Sequence, residues 1–330
     1  MKRDRVFVIA EAGVNHNGSL KSAIGLVDAA ANAGADAVKF QTFSADRLVS
    51  KTAQKAEYQK ATTGADESQY EMLKRLELSE SDHLALLDHC RSRGIMFLST
   101  AFDCESVRYL DSLGIPIFKI PSGEITNLPY LRTVAACDKP MILSTGMSTM
   151  DEVRAAVAAL GEGRDITLLH CTTEYPCPYA SVNLSAMVAM RDEFGLPIGY
   201  SDHTPGMEIS VAAVAMGAKV VEKHFTLDRN QDGPDHKASL EPNELARMIA
   251  AIRNVEAAFG NGIKTPDTVE LKNIAVARKS IVARVPIHKG ELLTEDNLTV
   301  KRPGTGLSPM LWNQVVGTVA TRNYVVDETI

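Results

Sequence analysis

IGYSDHTPGMEISVAAVAMGAKVVEKHF, residues 198–225, is the stretch on which the reading of this chain turns. Each end is a short apolar run that closes in a histidine: Ile198 to Tyr200 before His203, and Val220 with Val221 before His224. Between them, residues 209–216 are largely apolar, rich in helix formers and free of breakers, so the unit reads strand, helix, strand. Parallel strands joined by a crossover helix point the same way, which brings both imidazoles to one rim. Two imidazoles at one rim make a candidate metal pair. A histidine at a single strand end is more often a hydrogen-bonded core residue. Two at matching ends of successive strands leave both readings open.

The alternation extends upstream to the N-terminus. Short β-rich runs occupy residues 6–10, 37–40, 96–98, 117–120, 141–143, 166–169, 198–200 and 219–221, with helical patterns between them. Eight such runs are the number that closes a (β/α)8 TIM barrel, so the expected fold class is α/β. Ser19 can cap a helix that stops at Gly34, and Ser79 with Asp82 opens one that stops at Gly94. Residues 150–160 form a helix ending at Gly161, and 241–259 carry Leu245, Met248, Ile249 and Ile252 on one face. Two insertions stand out. Residues 42–78 are too long for a plain loop and hold a short helix near 70–76, while the polar 226–240 form a candidate lid or substrate loop.

The residues at and just past each strand end carry the functional signal. In chain order the strand ends offer Glu11, Asn15 and His16; Lys39 and Gln41; Ser99 and Thr100; Lys119, Ser122 and Glu124; Ser144 and Thr145; His170, Thr172, Thr173 and Glu174; Ser201, Asp202 and His203; Glu222 and His224. Barrel enzymes assemble their active sites at this C-terminal rim. A polar residue at one strand end is unremarkable on a solvated loop. Two lysines, four glutamates and four histidines around one mouth point to a functional site.

The bulk properties exclude several classes. A net charge of -6 and a pI near 5.8 argue against a nucleic-acid surface. No apolar run approaches a membrane span and Glu11 interrupts the only candidate for a leader, so no membrane partner is expected. The five cysteines are scattered without C-x-x-C spacing, which reads as reduced thiols in a cytoplasmic protein. No P-loop, G-x-S-x-G or H-E-x-x-H occurs. After Gly260 the composition changes. The expected organisation is a barrel over 1–262, a linker over 263–275 and a small, mostly β unit over 276–330.

The motifs IAEAGVNHNGSL (9–20), AVKFQT (37–42), STAFD (99–103), FKIPSGEITN (118–127), ILSTGM (142–147), LHCTTEYPCP (169–178), IGYSDHTPG (198–206), EKHFTLD (222–228) and GPDHKASLEP (233–242) resemble the sialic acid synthase family. KGELLTEDNLTVKRPGTG (289–306) is similar to that family's antifreeze-like (SAF) domain. The resemblance runs through the whole chain in order. It implies an enzyme that joins phosphoenolpyruvate to an N-acylated hexosamine, releasing phosphate, with a divalent metal and a domain-swapped homodimer. Manganese is the metal it implies, with Mg2+ or Co2+ as alternatives; two imidazoles alone would suit zinc equally.

On that resemblance His203 and His224 are the metal ligands. Lys39 and Lys119 grip phosphoenolpyruvate, with Thr100, Ser122 and Ser201 matching hydroxyl positions around the same ligand. Glu11 matches a glutamate that faces metal and aldehyde, and Glu222 joins it among the catalytic candidates. Tyr175 and Asp235 match sugar contacts, and Arg302 matches an arginine that reaches the N-acyl group from the partner subunit. N-acetylmannosamine is the expected sugar, making the chain an N-acetylneuraminate synthase. The alternatives are a legionaminate synthase, using a diacetylated 6-deoxy sugar, then a pseudaminate synthase. In a different class stands a non-catalytic carbohydrate binder. Thr173 and Glu174 depart from the asparagine of some bacterial members; the TTEYP form also occurs among legionaminate synthases.

Overall fold

The computed structural model describes residues 5–56, 59–60, 63 and 67–330. Its backbone divides into two compact units, 1–259 and 260–330.

The first unit is a closed barrel of eight parallel strands in sequential order. They are β1 (Phe7–Gly13), β2 (Ala37–Thr42), β3 (Met96–Ala101), β4 (Phe118–Ile120), β5 (Met141–Ser144), β6 (Ile166–His170), β7 (Ile198–Asp202) and β8 (Val220–His224). Closure pairs β1 with β8, setting Glu11 beside His224 in register. All eight expected strands are present. Most run on past the apolar stretch that marks them in sequence, because the hydrogen-bonded ladder continues where the barrel interior turns polar.

The period-two alternation of a strand sorts its side chains between two cores. Phe7, Ile9, Ala37, Leu98, Ile117, Ile142, Leu169 and Val220 point inward and fill the lower barrel. Val8, Ala10, Val38, Phe40, Phe97, Phe118, Leu168 and Val221 point outward, onto helix residues such as Leu26, Leu110, Leu245 and Met248. In five strands, a residue able to bind or ionise stands two positions beyond an inward apolar one: Glu11 after Ile9, Lys39 after Ala37, Thr100 after Leu98, Lys119 after Ile117, and Glu222 after Val220. The site is therefore the next layer of the barrel core, floored by hydrocarbon. Gly199 belongs to the crowded lower layer. A Cβ there would collide with the Val220 carbonyl oxygen and come within 2.6 Å of the Leu169 side chain.

The expected caps are in place. Ser19 accepts from the Ser22 amide ahead of helix Leu20–Ala33, and Gly34 ends that helix at φ 83°. Ser79 and Asp82 form a reciprocal capping box on helix Glu80–Arg93. Helix Pro242–Ala258 buries Leu245, Met248, Ile249 and Ile252. All five cysteines are free thiols. Among the described residues no helix is long and apolar enough to cross a membrane.

The second unit packs Ile281, Ile287, Leu293, Leu298, Val315 and Tyr324 around an antiparallel pair, β9 (Ser280–Ala283) with β10 (Leu298–Lys301). The expected linker over 263–275 contains most of a ten-residue helix, Thr268–Ala277, which buries none of its residues. Asp267 and Glu270 form a capping box that starts it.

Candidate active site at the mouth of the barrel

A cavity of about 380 Å³ opens above the apolar floor. It is lined by Glu11, Lys39, Thr100, Lys119, Ser122, Tyr175, Ser201, His203, Glu222, His224 and Asp235. The barrel thus gathers eleven of the twelve expected site residues. Arg302 lies in the other unit, where its Nε donates to the Ala277 carbonyl at 2.9 Å.

Four charged groups make the deepest part. Lys39 Nζ lies 2.7 Å from Glu11 Oε2 and donates to Thr100 Oγ1 at 2.7 Å. Lys119 Nζ is 3.2 Å from Glu222 Oε1, to which Ser201 also donates at 2.9 Å. Lys39 is 3.8 Å from the second oxygen of Glu222, so Glu222 bridges the two ammonium groups. Burial alone would push the Glu222 carboxyl up, but Lys119, Lys39 and the Ser201 hydroxyl hold it at about 2. Glu11 goes the other way. Burial, with Glu222 nearby, outweighs the attraction of Lys39 and lifts it to about 7. The surroundings thereby push two carboxyls in one layer in opposite directions, Glu222 down and Glu11 up.

The histidines stand on the same inward-facing rows, His224 two residues after Glu222 and His203 two after Ser201. Their rings are 5.5 Å apart between centroids, with the Tyr175 ring 4.2 Å from His203 and 5.6 Å from His224. His203 Nδ1 donates to the Thr172 carbonyl at 2.7 Å, which places its proton on Nδ1 and leaves Nε2 with a free lone pair. His224 Nδ1 has no hydrogen-bond partner among the described residues; Asp235 Oδ2 stands 3.8 Å away. Burial lowers the His203 imidazolium to about 4, and burial with His203 and Lys39 nearby drives His224 well below its usual range. Two neutral imidazoles with available lone pairs suit a divalent cation, and the ring anchored to a carbonyl has the orientation such ligands need. No group of three His, Cys, Asp or Glu among the described residues forms a ready-made cage.

Behind the site, on the outward face of the same strands, Lys223 and Asp202 pair at 3.0 Å with no exposure. Asp202 also accepts from the Thr204 amide, the Thr204 hydroxyl and Ser210, which fixes the backbone on both sides of His203. Asn15 ties the 226–240 loop to β1 by donating to the Phe225 carbonyl at 2.8 Å and Ser239 Oγ at 2.9 Å. Ser239 then donates to the Asp235 carbonyl at 2.6 Å, holding Asp235 over the cavity. Burial raises the Asp235 carboxyl to about 6 against the pull of Lys39.

Two of the four strand-end histidines serve the scaffold. His16 Nδ1 accepts from the Gly18 amide, and His170 Nε2 donates to the Val182 carbonyl. Gln41 and Thr173, two of the strand-end groups offered by the sequence, also line the cavity, as does Cys171, to which the sequence assigned no role there. Cys171 lies two residues beyond Leu169, so the period-two spacing was available to find it. Leu48, Val49, Met72 and Leu73 of the 42–78 insertion also line it, for which sequence carries no comparable signal.

Residues 26–264 match the sequence model of the NeuB family, and residues 278–330 that of the SAF domain. An N,N'-diacetyllegionaminic acid synthase of Campylobacter jejuni is 53% identical over 330 residues, 99% of each chain. A protein of the same name from Legionella pneumophila is 49% identical, covering 98% of this chain and 93% of its own. Among solved structures, the N-acetylneuraminic acid (sialic acid) synthetase of Leptospira borgpetersenii is 34% identical with a TM-score of 0.72, covering 82% of this chain and 90% of that one.

Proposed function

This chain belongs to the NeuB family, and from that premise we propose that it is an N,N'-diacetyllegionaminic acid synthase, condensing phosphoenolpyruvate with a diacetylated 6-deoxy hexosamine. Water is consumed, and a nine-carbon 2-keto acid and phosphate are released. The observation that carries the chemistry is the placement of Lys39, Lys119, Glu11 and Glu222 in one buried layer beneath His203 and His224. What favours this sugar over the expected N-acetylmannosamine is identity. The two relatives named for the legionaminic product stand at 53% and 49%, against 34% for the sialic acid synthetase. The Thr173–Glu174 departure agrees with them.

In this reading Lys39 and Lys119 hold the phosphate and carboxylate of phosphoenolpyruvate, assisted by the hydroxyls of Thr100, Ser122 and Ser201. The Gly146 amide donates to Ser122 Oγ at 2.9 Å and fixes that hydroxyl. Glu222, bridging both lysines, keeps them oriented toward the ligand. His203 and His224 would hold a divalent cation, Mn2+ or else Mg2+ or Co2+, which would supply Lewis-acid polarisation of the sugar aldehyde. Glu11 then takes a proton from the water that attacks carbon 2, and its elevated pKa suits that task near neutral pH. Phosphate leaves by cleavage of the C–O bond. Tyr175 and Asp235 contact the sugar, and Arg302 of the partner subunit in a domain-swapped homodimer reaches its N-acyl group.

The test is phosphate release from phosphoenolpyruvate with the diacetylated 6-deoxy hexosamine beside N-acetylmannosamine. A clear kcat/KM preference for the former supports the proposal; preference for N-acetylmannosamine returns the enzyme to N-acetylneuraminate synthesis.

A further inference from the structure

We infer that an apolar wall built by Leu48, Val49, Met72 and Leu73 is the specificity element of this cavity, receiving the methyl-bearing far end of a 6-deoxy hexosamine. The inference rests on the synthase reading above. The cavity is segregated by depth. Its floor is made by strand residues, whereas these four come from the insertion after β2, which also lends Gln59 and Gln69 to the lining: the short helix Ala45–Leu48, the residue following it, and helix Gln69–Leu76. Loops beyond the strand ends stand farther out than the strands themselves.

The wall is held in place by its own packing. Met72 and Leu76 are buried in a small cluster with Val14 and Phe43, against which Leu48, Leu73 and Phe102 pack. A complete capping box between Ser68 and Glu71 anchors the start of helix Gln69–Leu76. Met72 serves that cluster, but Leu48, Val49 and Leu73 are only partly buried and present hydrocarbon to the cavity.

The reaction sets the direction of the sugar. Its aldehyde carbon must lie near the floor, by the lysines and the imidazoles, so carbon 6 at the opposite end of the chain reaches the loops. A hydroxyl pressed against these four side chains would give up water without gaining a partner from them, while a methyl loses nothing. Apolar pockets discriminate such differences only moderately, so the preference should be on the order of tenfold to a hundredfold.

The experiment compares wild type, Val49→Thr and Leu73→Asn by phosphate release at saturating phosphoenolpyruvate. The probes are the diacetylated 6-deoxy hexosamine, its 6-hydroxy counterpart and N-acetylmannosamine. Wild type should favour the 6-deoxy sugar over its 6-hydroxy counterpart by tenfold or more in kcat/KM. Each variant should shrink that ratio several-fold through the KM of the 6-deoxy sugar, leaving the KM for phosphoenolpyruvate unchanged. Should Leu73→Asn fail to fold by circular dichroism, the near-isosteric Val49→Thr decides alone. An unchanged ratio in the folded variants overturns the wall while leaving the synthase reading intact. Turnover of N-acetylmannosamine alone by wild type overturns that reading and the wall together.

Discussion

Glu11 and His224 sit directly opposite each other across the β1–β8 seam, although more than two hundred residues separate them in the chain. That seam closes the barrel, and it sets a carboxyl whose pKa burial raises beside an imidazole whose Nδ1 has no hydrogen-bond partner among the described residues. In an open sheet the first and last strands would not meet, and neither would these two groups.

Removing the proposed cation should abolish turnover. Treatment with a chelator is expected to stop phosphate release, and Mn2+ to restore it. His224→Ala should lose Mn2+ binding, measured by calorimetry or electron paramagnetic resonance, while keeping its circular dichroism spectrum. Full activity after metal depletion would refute the role of the two histidines.

Lys119→Ala removes a buried ammonium from the proposed phosphoenolpyruvate cradle. A charge-assisted hydrogen bond contributes about 1.5–3 kcal/mol, so the KM for phosphoenolpyruvate should rise at least about tenfold. The KM for the sugar should change far less. Equal effects on both substrates would mean that Lys119 supports the site as a whole.

The raised pKa of Glu11 fixes the sign of a pH effect. As a base it must be deprotonated, so kcat/KM should climb as the pH rises through about 7 and level off above it. Glu11→Gln should lower the rate by two to four orders of magnitude, on the scale typical of a lost general base, and remove that limb. A limb that persists in the variant would assign the titration to another group.

Gly199→Ala should destabilise the barrel without touching the cavity. Its added methyl meets the Val220 carbonyl and the Leu169 side chain. Overpacking of this kind costs about 1–3 kcal/mol, read as a lower midpoint of thermal or urea unfolding. Wild-type stability would show that β7 can shift to make room.

Arg302→Ala should raise the KM for the sugar several-fold and spare that for phosphoenolpyruvate, because the proposed N-acyl contact from a partner subunit is lost. Unchanged sugar kinetics would remove Arg302 from the site.

The amino-acid sequence by itself determined the eight strands, the capped helices between them and the inward row of polar residues. These follow from local rules: strand side chains alternate faces, and helix ends need their caps. It also contained the lysines, glutamates and histidines of the mouth: Lys39, Lys119, Glu11 and Glu222 stand two positions beyond an inward apolar residue, and His203 and His224 two beyond Ser201 and Glu222. Only the tertiary structure decided which strand-end groups meet. His16 and His170 look like His203 and His224 in sequence, yet their rings bond to backbone groups of the scaffold. The helix that starts at Thr268 was hidden in a stretch polar enough to pass for a linker. The opposed pKa shifts of Glu11 and Glu222, and the apolar wall over the cavity, arise from closure and burial. Those are contacts between residues far apart in the chain, and no local pattern encodes how much water they exclude.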